Sequence, residues 1–230
     1  MHSLCLAALL LAFPTAVDSA RLRAFERHYH NARTLKASFY QRYSDGNGPA
    51  TAEAGTVYFS RLGRMRWDYE SPEQKVFLVD GRNVWFYVPA DRTASHAMLN
   101  ESSDWRTPLA LLTGKADLSH LCRSIEIINA EATPGNKSGE SPTSPPGTIF
   151  RCKPRSRSAA DEGALGEVLL ETDAADRLVR VLIRERGNVE TEFRFGNWEE
   201  NLFIPEMTFH FVPPPGVAIV DEATLAGARH

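Results

Sequence analysis

Seven histidines and a pair of internal cysteines are the first places to look for chemistry in this 230-residue chain. The histidines are His2, His28, His30, His96, His120, His210 and His230. His28 and His30 sit two apart in a stretch of helical periodicity, so their side chains point different ways. No histidine falls in a metal-ligand pattern, and the chain has no CxxC, so neither a metal nor another cofactor is expected. There is no GxSxG elbow, no phosphate-binding loop, no GxGxxG after a strand and no HExxH. Carboxylate pairs such as Glu199-Glu200 and Asp161-Glu162 read as solvated loop charges. The expectation is a protein with no catalytic residue, not an enzyme. Cys122 and Cys152 stand on strand-like stretches that flank one long loop. In an oxidising compartment they form a disulfide; the other reading is two buried free thiols.

What recurs instead of reactive groups is apolar side chains at strand spacing. Mean hydropathy is slightly negative, −0.31, yet 43% of residues are hydrophobic and 10% aromatic. With 24% charged residues this is an ordinary globular composition, unlike that of a disordered chain. Lys and Arg number 26 against 29 Asp and Glu, a net charge of −3, with a pI near 6.2. A chain so close to neutral has no bulk electrostatic reason to bind nucleic acid.

The amino terminus carries an almost unbroken apolar run, Leu4 to Phe13. That is too short to span a bilayer and suits the core of a signal peptide. Cleavage after Ser19 would place Val17 and Ser19 at the small-residue positions, although the preceding region has His2 and no Lys or Arg. The expected organisation is a signal peptide, 1–19, and a single domain, 20–230. Cys5 precedes the apolar core, whereas a lipobox cysteine follows it, so no lipid anchor is expected.

In the remaining chain Leu22, Phe25, Tyr29, Ala32 and Leu35 recur at spacings of three and four, which predicts an amphipathic helix over 21–35. Strand signals follow at about 37–43, 51–60, 64–69, 76–79 and 84–88. Asp80-Gly81 between the last two marks a hairpin. Thr107-Pro108-Leu-Ala-Leu-Leu112, with Gly114 just beyond, has the punctuation of a short helix. Further strands are predicted near 122–129, 148–153, 165–172, 177–184, 190–196 and 206–213. The stretch 131–147 is rich in Pro, Gly and Ser and reads as a long hairpin loop. About eleven strands with a few short helices make a mainly β, α+β domain of antiparallel design.

Four stretches, in order, resemble the LolA family of periplasmic outer-membrane lipoprotein carriers. They are Leu35-Lys-Ala-Ser-Phe-Tyr-Gln41; Gly55-Thr-Val-Tyr-Phe-Ser-Arg61 with Arg64-Met-Arg-Trp67; Val79-Asp-Gly-Arg-Asn-Val-Trp-Phe-Tyr-Val-Pro89 with the Thr107–Leu112 helix; and Phe209-His-Phe-Val-Pro-Pro-Pro-Gly-Val217. Leu62 stands where the family has a proline, the 131–147 loop is longer than usual, and residues 115–205 match only in strand pattern. The resemblance implies an incomplete antiparallel β-barrel with a helical lid over its concave apolar face. It implies a monomeric periplasmic chaperone that binds acylated lipoproteins, takes them from an inner-membrane ABC release complex (LolCDE type) and delivers them to an outer-membrane receptor (LolB type). The alternative on the same half-barrel is a carrier or sensor of another lipid, a glycolipid or a phospholipid. An outer-membrane receptor would need a lipobox cysteine.

On that reading alternation names Phe39, Val57, Phe59, Met65, Trp67, Tyr69, Trp85 and Tyr87 as acyl-chain-binding residues of the concave face. Leu109 and Leu112 join them from the short helix. The same side chains could equally fill a closed core, and the facing can invert on any one strand. Arg61 matches the family's strand-end arginine, which resembles a latch donating to lid carbonyls; by itself it reads as a solvated strand-end cation.

Overall fold

The computed structural model describes residues 16–61, 63–98, 112–113, 117–129, 147–155 and 165–221. Helical spacing of Leu22, Phe25 and Tyr29 builds helix α1, Ala16–Asn31. The expected leader, 1–19, lies outside the described residues except for the backbone of 16–19, which forms the start of α1. The helix stops short of the predicted 35 because the chain is drawn into the sheet. Thr34 and Leu35 open strand β1, Thr34–Ser44, and Leu35 pairs with both Phe59 and Glu200. Cross-strand pairing on two sides outweighs local helical periodicity.

The alternating stretches become β2, Thr51–Ser60; β3, Arg64–Ser71; β4, Lys75–Val79; and β5, Asn83–Val88. In the β4–β5 hairpin Gly81 takes a φ of +104°, and Asp80 Oδ1 accepts from the backbone N–H of Arg82 and Asn83 at 2.8 Å each. Burial tends to raise the Asp80 pKa, but these hydrogen bonds dominate and hold it below the usual value. At Gly55 a Cβ would stand 1.9 Å from the carbonyl oxygen of Asp68, so β2 and β3 approach too closely there for any other residue.

Strand β6, Thr93–Met98, follows without an alternating apolar signature. Then come helix α2, Leu118–Leu121; β7, Cys122–Asn129; β8, Thr148–Pro154; β9, Leu165–Thr172; β10, Leu178–Glu185; β11, Glu190–Glu200; and β12, Ala218–Asp221. The stretch 206–213, predicted as a strand, is a 3-10 turn, Glu206–Phe209, that runs on as an irregular extended strap. Pro205 and Pro213-Pro-Pro215 bracket it, and prolines cannot supply the N–H groups of a ladder. Residues 107–111 of the predicted short helix and 131–146 of the long loop lie outside the described residues.

The described strands form one twelve-stranded sheet in the order β12-β6-β5-β4-β3-β2-β1-β11-β10-β9-β8-β7. Every neighbouring pair is antiparallel except β12 with β6, which is parallel. The two end strands do not pair with each other, so the sheet is open, in keeping with an incomplete barrel. Its inner face carries the main core: Leu35, Phe39, Val57, Phe59, Met65 and Trp67, continuing through Phe193, Phe195, Val181, Ile183, Leu170 and Phe150. Phe25 and Tyr29 of α1 complete the same cluster.

Candidate functional site: an apolar sheet face beneath a helix

Strand alternation puts Phe39, Val57, Phe59, Met65, Trp67 and Tyr69 on one side, and each is at most 4% exposed. Direct pairing of Val57 with Trp67 and of Phe59 with Met65 confirms that they share a face. The Trp67 ring is the hub of that face, with centroid distances of 4.8 Å to Phe39, 5.3 Å to Phe193, 6.0 Å to Phe59 and 6.1 Å to Phe195. Leu112 is buried in the same cluster, while Leu109 lies outside the described residues.

Trp85 and Tyr87 do not belong to this face. In the β4–β5 hairpin Val79 pairs with Val84 and Phe77 with Phe86, and Phe77, Val79 and Val84 are core residues. Trp85 and Tyr87 have the opposite parity and look outward, where their rings lie 5.0 and 5.4 Å from Phe211 of the strap. A hairpin that brings 79 opposite 84 sends 85 and 87 to the other side; the more aromatic row of β5 is therefore the outer one. Phe77, Val79, Phe193, Phe195 and Phe150 are inner-face residues that sequence reasoning left unnamed. The alternation in Thr191-Glu-Phe-Arg-Phe195 carried that signal for two of them.

Helix α1 lies on the inner face through Phe25 and Tyr29, with Phe25 4.9 Å from Phe150 and Tyr29 6.5 Å from Trp198. The Leu178 N–H donates to the Tyr29 hydroxyl oxygen at 2.6 Å, and burial pushes the Tyr29 phenol pKa up, so it stays neutral. Polar ties run round the helix rim. Arg21 reaches Thr148 Oγ1 at 2.8 Å and Asp176 at 3.3 Å. Glu26 accepts from the Ser119 N–H at 3.3 Å, with burial raising its carboxyl pKa. His28 lies 3.1 Å from Glu200 and His30 3.0 Å from Asp117.

Arg61 closes the carboxyl end of the helix. Its Nε donates to the Ala32 carbonyl at 3.3 Å and its Nη2 to the His30 carbonyl. The last carbonyls of a helix have no intrahelical partner and carry the negative end of its dipole. A guanidinium, permanently charged and with donors in a rigid fork, satisfies the His30 carbonyl of the last turn and the Ala32 carbonyl just beyond the helix at once. Cys122 and Cys152 are joined in a disulfide between β7 and β8, and both are buried in the inner-face cluster.

Among the described residues no cluster of three or more His, Cys, Asp or Glu is placed to hold a metal ion. Nor is any described helix long and apolar enough to cross a membrane. What the described residues offer is an apolar sheet face on which α1 lies, held by rim hydrogen bonds, with Leu112 and Leu118 buried in the same cluster.

The family described as "Outer membrane lipoprotein carrier protein LolA" matches residues 30–139 of the chain. A protein of Nitrosospira multiformis named outer-membrane lipoprotein carrier protein is 27% identical over 222 residues, covering 95% of this chain and 97% of its own. A protein of the same name from Dechloromonas aromatica is 29% identical over 224 residues, 96% of each chain. Among solved structures, an uncharacterized conserved protein from Thermus thermophilus superposes with a TM-score of 0.51 at 10% identity, covering 88% of this chain and 98% of that one. At that identity the likeness is one of fold.

Proposed function

The chain is similar over nearly its whole length to proteins named outer-membrane lipoprotein carrier protein, and on that premise we propose that it is a periplasmic carrier that holds the acyl chains of lipoproteins against the inner sheet face in place of α1. Residues 1–19 act as the export signal. The mature protein works as a monomer between an inner-membrane release complex of the LolCDE type and an outer-membrane receptor of the LolB type.

The observation that carries this reading is the way α1 is attached. Its apolar stripe rests on the inner face, but its carboxyl end is fastened by Arg61 to backbone carbonyls. Magnitudes favour exchange of helix for ligand. Burial of Phe25 or Tyr29 stabilises the closed form by about 1.5–3 kcal/mol each. An acyl chain of about sixteen carbons brings roughly 12 kcal/mol of apolar burial, at about 0.8 kcal/mol per CH₂. A ligand of that size outcompetes two aromatic side chains, and the rim hydrogen bonds set how readily the helix returns.

Two experiments test this. Arg61→Leu removes the donors at the helix end, so the empty closed form is weakened and the loaded form is favoured. Loaded variant mixed with receptor-bearing membranes is expected to retain its lipoprotein while wild type releases it; transfer at wild-type efficiency would sink the latch. Native mass spectrometry of protein purified from the periplasm is expected to show acylated polypeptide. A glycolipid or phospholipid in its place would transfer the site to the other class of cargo.

A further inference from the structure

The inner face changes character along its strands. At the start of β1 and the end of β2 it is wholly apolar, built from Leu35, Phe59, Met65 and Val79, and here Arg61 holds the helix. At the opposite end it is polar. Gln41 and Glu53 face each other across β1 and β2, and Tyr69 and Lys75 across β3 and β4. These four groups have partners: the Tyr69 hydroxyl donates to Gln41 Oε1 at 2.9 Å, and Lys75 pairs with Glu53.

Trp67 stands at the boundary, two residues from Tyr69 on the same face and opposite Val57 and Phe77. It is 0% exposed. Its indole Nε1 is buried with no hydrogen-bond partner among the described residues. The rings of Phe39, Phe59, Phe193 and Phe195 around it offer only π faces, which accept weakly. A buried donor left unmade is destabilising, and a phenylalanine would supply a comparable apolar ring without it. An acyl ester or amide is the complement of this group. Its hydrocarbon wants the apolar face, and its carbonyl oxygen needs a donor once removed from water.

The geometry points to Trp67 as the polar anchor of the groove: its indole N–H donates to the first carbonyl oxygen of a bound acyl ester or amide. The hydrocarbon then runs toward Phe59, Met65 and Val79. The group to which the chain is attached lies toward Tyr69, Gln41, Glu53 and Lys75. This rests on the groove reading above and adds to it a ligand class, carbonyl-bearing acyl chains over plain hydrocarbons, and a direction of binding.

Calorimetric titration of wild type and Trp67→Phe with methyl laurate and with tetradecane tests it. Wild type is expected to bind both. Trp67→Phe is expected to lose roughly tenfold in affinity for the ester, the worth of one net hydrogen bond, with no change for the hydrocarbon and an unligated melting temperature equal or higher. Equal loss for both probes, or no loss for the ester, overturns the anchor and leaves the groove standing. Failure of wild type to bind either probe removes the groove itself. Should the variant not fold, the indole ¹⁵N–¹H resonance of Trp67 in wild type gives the same decision. It is expected to move downfield with methyl laurate and not with tetradecane, and an identical response to both overturns the anchor.

Discussion

The outer face of the sheet is finished in two different ways on its two halves. Over β3–β6 it is covered by the strap and, apart from the Arg64, Arg66 and Asp68 row of β3, apolar. Leu78 and Ala94 are fully buried there, Trp85 lies between His96 at 4.3 Å and Phe211 at 5.0 Å, and Phe209 is 2% exposed. The strap is pinned by Arg66, which donates to the Thr208 carbonyl at 3.2 Å, and by Arg64, 5.9 Å from the Phe209 ring. Over β8–β11 the outer face is a ladder of ion pairs whose arginines are part-exposed and whose shared carboxylates are half-buried. Arg151 and Arg184 share Glu167 at 3.0 and 2.8 Å, and Arg180 and Arg194 share Glu192 at 2.6 and 3.0 Å. A sheet whose inner face carries the main core still has to finish the other one. Buried aromatic rings contribute about 1.5–3 kcal/mol apiece, whereas exposed pairs contribute about 0–1 kcal/mol. The strapped half is thus a second core, and the laddered half is a solvated surface whose end strand β7 is fastened to β8 by the disulfide.

That contrast can be broken at its strongest point first. Phe209→Ala should lower unfolding stability by about 3–5 kcal/mol. Trp85 emission should shift to the red as the strap lifts, read in a urea titration; a loss below about 1 kcal/mol would mean the strap is no core. On the other half, Cys122→Ser with Cys152→Ser opens a link between residues 30 apart in sequence. About 3 kcal/mol should be lost, with Trp85 emission unmoved, because the rupture lies at the far end of the sheet.

The smallest effect is one of sign. Burial tends to raise the Glu192 pKa, but hydrogen bonds and charge from Arg180 and Arg194 dominate, so it falls below the ordinary 4.5. Its contribution is full above that ordinary value and lost as pH drops through the depressed one. Asp68, on the outer face of β3, goes the other way: burial, only partly offset by Arg66, raises its pKa above 3.8. Its carboxylate therefore burdens the fold at neutral pH, and that burden is relieved as pH falls through the raised value. Carboxyl chemical shifts followed from pH 7 to pH 2 should place Asp68 above, and Glu192 below, their ordinary positions. Shifts of the same sign would erase the distinction between the halves.

Much of the inner face is legible in the sequence, for identifiable reasons. The strands of β1–β3 carry strict alternation because one face is buried and the other solvated, so Phe39, Val57, Phe59, Met65, Trp67 and Tyr69 share a face as expected. Trp85 and Tyr87 take the face opposite to the expected one because β5 is apolar on both rows, Val84 and Phe86 inward and Trp85 and Tyr87 outward, so its pattern has no polar side to reveal the inversion. β6 and β12 are not legible in the sequence because Thr93–Met98 lacks an alternating apolar row and Ala218–Asp221 is only four residues long; they become strands by pairing with what lies beside them. The strap looked like a strand because its apolar residues alternate, although its prolines deny it a ladder.

The amino-acid sequence by itself determined which residues share a row on β1–β3, the amphipathic stripe of α1 and the presence of a strand-end arginine, because these depend on residue spacing along one chain. Which row of β5 faces inward, which carbonyls Arg61 finds, and that the Trp67 N–H has no partner among the described residues at the meeting of an apolar and a polar end were decided only by the tertiary structure. Each depends on register between segments far apart in sequence, and a shift of one residue in that register would turn every side chain of a strand to the other face.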